Sequence, residues 1–528
     1  MMNQNSGNIF ANAFRNMSNL TETENGHAAA STTNSAVLDL YGQIGAIRDR
    51  DESDILDLFK KAIREDKLLA AKTMFYGRDC RGGTGERKVF RTMLKWAADN
   101  DPDILRMNLN LIPEFGRWDD LYALVGTKLE DEMFGLMHKQ IMDDIIAMEY
   151  HRPISLLAKW MKSVNASSEE TKGLGKLTCK KLGFVNEKWY RKTLSELRAY
   201  IDIVERKMSA GEWSEIDYEK VPSKAGLIYR KAFKKHDEAR YAEYISSVEK
   251  GEKKINVAMN TPQDLVHAYI GDNTYHFRYT KTKEDPTIEA MWKNQPDYIH
   301  SDENVICMVD TSGSMYGRPI EVSTGLGMYF AQKNRGDFHN LFMTFESEPH
   351  FVSLVEGDSF LDNLKRTFEA DWGGSTDLNR ACETLLQFAK DNRVPQADMP
   401  TRLIIISDME IDRATNFYVT GNTRVFLTRN GLLTEVEPAT RADILQIDEL
   451  RAMYEQAGYK MPQVIYWNVE SRHNHFQTRS DIPGTMLASG SSPKVFEAVM
   501  AMKDYEATPY DAMLEVLNGE RYSSVRVG

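Results

Sequence analysis

The segment from Val305 to Ser314 constrains this chain more than any other: a short apolar run, Asn304 to Val309, leads directly into Asp310-Thr311-Ser312-Gly313-Ser314. A run of that length, followed by a Gly-containing loop, reads as a central strand of a parallel sheet. The carboxyl end of such a strand is where open α/β sheets bind ligands. Because Asp310, Ser312 and Ser314 alternate, a curved loop can aim one carboxylate and two hydroxyls at a common centre. Oxygen is the donor that the hard cations Mg²⁺ and Mn²⁺ prefer. Two later segments can reach the same point. Trp372-Gly373-Gly374-Ser375-Thr376-Asp377 precedes a helical pattern at Leu378, Ala381, Leu385, Leu386 and Ala389, and Leu403 to Ser407 is a second apolar strand ending in Asp408.

Taken together, D-x-S-x-S, a Gly-Gly-Ser-Thr-Asp loop and a strand-terminal Asp resemble the metal-ion-dependent adhesion site of von Willebrand factor A domains. The resemblance implies Asp310, Ser312, Ser314 and Thr376 as ligands of Mg²⁺ or Mn²⁺, with Asp408 touching the metal directly or through water. It also implies an acidic side chain of a protein partner as what such a metal receives. The chain departs from the pattern at Asp408-Met409-Glu410, where a glycine commonly follows the Asp.

At 528 residues the chain is too long for one ordinary domain and should hold two or three. Its 42% hydrophobic and 27% charged residues are those of a soluble globular protein. No apolar run approaches the roughly 20 residues of a membrane span, and the Asn- and Ser-rich start lacks the basic and apolar stretches of a signal sequence. Cys80, Cys179, Cys307 and Cys382 lie far apart without a C-x-x-C pair, which reads as reduced thiols in a cytoplasmic protein without structural zinc. The net charge of -12 is uneven: Lys159 to Lys254 holds 22 Lys and Arg against 15 Asp and Glu, so that stretch carries +7 and the rest -19. Clustered basic residues are the footprint of a phosphate-binding surface.

The expected class is multidomain α + α/β. Residues 1–35 read as an irregular arm, 36–272 as an array of stacked antiparallel helix pairs of the HEAT-like kind, 273–300 as a connection, and 301–528 as a doubly wound α/β module. In the last, strand and helix patterns alternate, with a patternless insertion at about 413–442. Leu38, Leu40, Ile44 and Ile47 form an apolar face at helical spacing that a lone first helix cannot bury, so it is expected against the C-terminal module.

Several helical-half segments set charge and glycine between apolar helices: Thr23-Glu24-Asn25-Gly26, Gly77-Arg78-Asp79-Cys80-Arg81-Gly82-Gly83-Thr84-Gly85-Glu86-Arg87 and Pro113-Glu114-Phe115-Gly116-Arg117-Trp118-Asp119-Asp120-Leu121. With Leu157-Ala158-Lys159-Trp160, Tyr190-Arg191-Lys192, Val221-Pro222-Ser223-Lys224-Ala225 and Phe233-Lys234-Lys235-His236-Asp237, they resemble the TROVE module of the Ro ribonucleoproteins. The likeness is greatest to a family of Ro-like proteins with the same two-part layout, some of them phage-encoded. It implies an RNA-binding ring, monomeric, that captures small structured RNA or free RNA ends. From the residues themselves, Arg78, Arg81, Arg87, Lys159, Lys176, Lys180, Lys181, Arg191, Lys192, Lys224, Arg230, Lys231, Lys234 and Lys235 are candidates to neutralise phosphates, and Trp189 and Tyr190 to stack an unpaired base.

The loop Arg81 to Arg87 lacks the Gly-Lys-Ser/Thr ending of a nucleotide-binding loop and no strand precedes it. Its glycines are expected to let two helices turn tightly, with Glu86 and Arg87 in an ion-pair network. Trp118 and Trp160 read as core, and His473 and His475 as surface residues of a polar loop. With no paired nucleophile and base and no second carboxylate cluster for two-metal chemistry, the chain reads as a non-enzyme. The alternative to RNA binding is a metal-dependent protein-protein scaffold.

Overall fold

A strand buried on both faces needs near-continuous apolar sequence, and the α/β part of the computed structural model is built on three of them. The structure describes residues 19–25, 28–271, 282–345, 349–369, 376, 378–411 and 446–528. β1 (Leu20–Glu22) and β2 (Ala28–Ala30) pair as an antiparallel hairpin. β3 (Val305–Asp310), β4 (Leu341–Phe345), β5 (Phe351–Ser353), β6 (Arg402–Ser407), β7 (Gln463–Asn468) and β8 (Thr485–Ser489) form one sheet in the order β5-β4-β3-β6-β7-β8. All its pairs are parallel except β4 with β5. Every residue of β3, β6 and β7 is buried, and the sheet is mixed with an antiparallel edge.

The described residues divide into two compact units that do not follow the linear order of the chain. One takes the described parts of Met1–Asp49, Thr261–Glu284 and Asp297–Val516; the other takes Arg50–Asn260, Asp285–Pro296 and Leu517–Gly528. In the sheet unit the helix Arg318–Lys333 packs on β3, β4 and β6 and is buried along most of its length. The helix Ala36–Gln43, capped by the Ser35 hydroxyl accepting from the Leu38 N–H, lies against β8. The expected face Leu38, Leu40, Ile44 and Ile47 is fully buried there. The close approach requires Gly45, whose Cβ would sit 2.6 Å from the Ser489 carbonyl oxygen, and whose N–H instead donates to the Ser489 hydroxyl at 3.0 Å. Residues 19–35 are therefore no irregular arm where they are described: β2 bridges to Phe476, and Asn19 and Asp39 hold the chain between them by side-chain hydrogen bonds. Residues 1–18, positions 273–281 of the expected connection at 273–300 and the expected insertion at about 413–442 lie outside the described residues, while the rest of that connection holds the helix Pro286–Lys293.

The second unit is helical because its apolar residues recur every three or four positions. Glu52–Glu65 buries Ile55, Leu58, Phe59 and Ala62. It ends at Asp66, whose carboxylate caps the next helix, Lys67–Arg78, by accepting from the Leu69 N–H at 2.8 Å. Phe75 packs on Phe90 and Phe115 with ring centroids 5.7 and 5.4 Å apart. The chain's C-terminal turn closes this core: Tyr522 stacks on Phe115, and Arg521 donates twice to the buried Asp79 carboxylate at 2.7 and 2.8 Å. The ion pair at the Gly82-Gly83 turn is thus Asp79 with Arg521, while Arg87 makes no ion pair among the described residues. A second core gathers Tyr218, Phe233, Tyr241, Tyr244 and Ile245. All four cysteines are free, and no helix among the described residues is long and apolar enough to cross a membrane.

Candidate functional site

β3 and β6 run in register, with Val309 beside Ile406, so Asp310 and Ser407 end adjacent strands at the same edge of the sheet. Asp310 is fully buried. Its Oδ2 accepts from the Ser407 hydroxyl at 2.5 Å and its Oδ1 from the Ser312 N–H at 2.9 Å. The one-turn 3₁₀ helix Gly313–Met315 curls the loop so that the Ser312 and Ser314 hydroxyls lie 3.0 Å apart. Asp408 follows β6 and is 1% exposed. Its Oδ1 accepts from the Glu410 N–H at 3.1 Å, whereas its Oδ2 has no hydrogen-bond partner and faces the Arg472 guanidinium at 3.3 Å. Arg472 also donates to the Ser314 carbonyl at 2.7 Å, tying the first loop to the third. Thr376, also buried, donates its hydroxyl to the Glu410 carbonyl at 3.4 Å and is the one described residue between 370 and 377.

Electrostatically this site is short of positive charge. Burial first, and the neighbouring Asp408 second, push the Asp310 carboxyl up to about 7; burial pushes Asp408 up to about 6 against the opposing pull of the Glu410 N–H and Arg472. Two carboxylates and three hydroxyls are an oxygen set that fits a hard cation. The described residues hold no group of three or more His, Cys, Asp and Glu side chains that could bind one, so any metal here relies on the hydroxyls. Asp310, Ser312, Ser314, Thr376 and Asp408 are brought to one edge of the sheet as expected.

Sequence reasoning missed the groups that brace the third loop. Thr23 donates to the Ile411 carbonyl at 2.6 Å, the Glu24 N–H to the Glu410 carboxylate at 2.8 Å and Asn25 to the Glu410 carbonyl at 2.7 Å. His473 pairs with Glu24 at 2.7 Å, and His475, largely buried rather than on the surface, lies 3.4 Å from the buried Glu410. The available signal was position: Glu470 to His475 follows β7, the next parallel strand, and so belongs to the same ligand-facing edge. Met409 has φ +64° and explains the departure at this loop, since it holds the left-handed backbone that glycine adopts freely.

In the helical unit the candidate phosphate contacts separate by burial. Arg81, Arg87, Lys176, Lys180, Lys181, Arg191, Lys192, Lys224, Lys231, Lys235 and Trp189 are exposed, with the Lys192 ammonium 5.2 Å from the Trp189 ring. Lys159 is half-buried beside Trp160. Tyr190 is not presented for stacking: it is fully buried, edge-on to Phe184, with its hydroxyl donating to the Lys162 carbonyl at 2.7 Å. Its place on the apolar stripe Tyr190, Leu194, Leu197 was the signal for this. Arg78 is also buried, paired with Asp120 at 2.8 Å. Lys181 pairs with Glu130 and Asp131, and Arg230 and Lys234 both pair with Asp285.

These features define the class: an α + α/β protein with an oxygen-rich site at the carboxyl edge of a mixed sheet. A family model described as a domain of unknown function, DUF2828, matches residues 23–152 and 154–301, more than half of the chain, and the chain belongs to that family. A second, the domain of unknown function DUF7788, matches residues 304–522. The chain is also similar to the uncharacterised protein L728 of Acanthamoeba polyphaga mimivirus, with 25% identity over 540 residues spanning 95% of this chain and 88% of the relative.

Proposed function

We propose that this is a non-enzymatic, Ro-like RNA-binding protein whose sheet unit is a von Willebrand factor A-like module with a Mg²⁺ or Mn²⁺ adhesion site. The observation that carries the RNA reading is the run of solvated cations along Glu169–Lys181 and Glu187–Tyr200, with Trp189 53% exposed among them. An exposed Trp beside Lys and Arg is the arrangement that stacks an unpaired base while neutralising its backbone. The sheet order, the two Asp-terminated parallel strands and the Ser312, Ser314 and Thr376 hydroxyls support the adhesion-site reading. The cation would be held by Asp310, Ser312, Ser314 and Thr376, with Asp408 beside it, and would supply an electrophilic point for a partner's carboxylate.

The test of the RNA reading is charge reversal of Lys180, Lys181, Arg191 and Lys192 in the full chain, with binding to a structured RNA followed across salt concentrations. Affinity should fall by roughly a hundredfold at low salt, and the salt dependence should flatten as released counterions are lost. Equal losses from reversing surface cations of the sheet unit, or no RNA binding by the unaltered protein at low salt, would favour the metal-dependent scaffold.

A further inference from the structure

The motif Phe115-Gly116-Arg117-Trp118-Asp119-Asp120 and the start of the helix Arg87–Asn100 build a guanidinium cluster that the reading above does not use. Arg91 donates to Asp120 at 2.7 Å and Asp119 at 2.9 Å. Arg78 donates to Asp120 at 2.8 Å, and Arg117 pairs with Asp119 at 3.1 Å. The packing requires Gly116, because a Cβ there would lie 2.5 Å from the Asp120 carboxylate and 2.8 Å from the Arg78 guanidinium. Arg87 stands one turn before Arg91 on the same helix face, exposed and without an ion pair or hydrogen bond from its side chain among the described residues.

Four guanidinium groups therefore meet two carboxylates, leaving a surplus of two positive charges. Like charges so placed repel: burial, then Arg117, lowers the Arg87 pKa, and burial lowers that of Arg117 despite Asp119, with Arg78 adding to the fall. Trp160 lies under the Arg117 guanidinium at 4.2 Å, holding its plane, while Nε and one terminal nitrogen face Asp119 at 3.1 and 3.4 Å and the other terminal nitrogen is left as donor. A tetrahedral oxyanion carrying up to two charges matches both the surplus and the forked donors, whereas Arg78 and Arg91 are already committed to Asp120.

We propose that Arg87 and Arg117, backed by Arg91, form a phosphate-binding site of the helical unit. Its biological source as a phosphate of an RNA strand rests on the RNA reading above. The group would be either a terminal phosphate or an internal phosphodiester.

The experiment uses the full chain, inorganic pyrophosphate, and two RNA oligonucleotides of one sequence, with a 5′-phosphate or a 5′-hydroxyl, against the unaltered protein and Arg87→Ala. Arg87 has no ion pair or side-chain hydrogen bond to lose among the described residues, only a longer-range attraction to Asp119, so the melting temperature should change little. If the phosphorylated strand binds about tenfold tighter and Arg87→Ala removes that advantage, a terminal phosphate occupies the site. If both strands bind equally and both lose about tenfold, an internal phosphodiester does. If pyrophosphate binds in an Arg87-dependent way and RNA does not bind at all, the site stands and the RNA reading falls. If Arg87→Ala leaves pyrophosphate and both strands unchanged, the site is overturned, whatever the charge reversal at Lys180, Lys181, Arg191 and Lys192 does to RNA.

Discussion

The edge of the sheet at Asp310 and the arginine cluster at Arg117 are electrostatic opposites. In the first, two neighbouring carboxylates are buried, only Asp408 of them meets a guanidinium, that of Arg472, and their pKa values rise to about 7 and about 6. In the second, four guanidiniums share two carboxylates and the pKa values of Arg87 and Arg117 fall. Isolated ion pairs elsewhere in the molecule, such as Asp79 with Arg521, are matched in charge. Burying unmatched like charges costs stability; under the two proposals above, a cation at the sheet and an anion at the helices would bring the missing charge.

The sharpest way to break this comparison is Asp310→Ala. It removes the main anionic ligand at the rim of the sheet, and Mn²⁺ binding followed by calorimetry should drop by at least about a hundredfold with the fold retained. Unchanged affinity would mean that the carboxylate pair does not hold the metal.

A smaller effect separates the two sites by pH. The raised carboxyls hold protons between about pH 4 and 7 that the unfolded chain has already released, so their contribution favours the metal-free fold at low pH and is lost as pH rises through 7. A cation must displace those protons. Mn²⁺ affinity should therefore weaken by about tenfold or more from pH 8 to pH 5. Affinity of the arginine cluster for a phosphodiester, which like the guanidiniums stays charged, should not weaken over the same range; a parallel loss at both sites would erase the distinction.

The matched pair provides the control. Arg521→Ala strips the fully buried Asp79 of its charged partner. Because Arg521 is itself 38% exposed, the expected loss is about 2 kcal/mol in denaturant unfolding, with metal and phosphate binding unaltered. Changed binding without changed stability would place this pair with the ligand sites. Least of all should matter Met409→Gly. Relief of the positive φ offsets the lost burial of the side chain to within about 1 kcal/mol, while Met409→Val, stiffer in a left-handed backbone, should cost more. If the glycine variant instead melts far below the parent, the loop does not depend on that backbone shape.

Asp310, Ser312, Ser314 and Asp408 of the proposed metal site were legible as a group because each belongs to a loop whose place is set by a short apolar strand next to it. Asp310 ends β3, Asp408 directly follows β6, and the D-x-S-x-S spacing carries the hydroxyls along. Arg472 and His475 carried only the signal of a loop that follows β7, and Glu24 carried none, since nothing in a polar loop states which other loop it meets. In the helices the amphipathic stripe already assigned Tyr190 inward and Trp189 outward. Arg78 was harder, because its burial depends on Asp120, 42 residues away.

The sequence by itself determined the order of strands and helices, the apolar faces and the oxygen-bearing strand ends, all of which follow from patterns within a few residues. The apolar face of the helix Ala36–Gln43 already pointed to the C-terminal module; only the tertiary structure decided that it meets β8 there and that Leu517–Gly528 joins the helices. Those assignments rest on contacts such as Gly45 with Ser489 and Asp79 with Arg521, separated by 444 and 442 residues. The energy of a pair so distant in the chain comes from the complementarity of two finished surfaces, which no local pattern records.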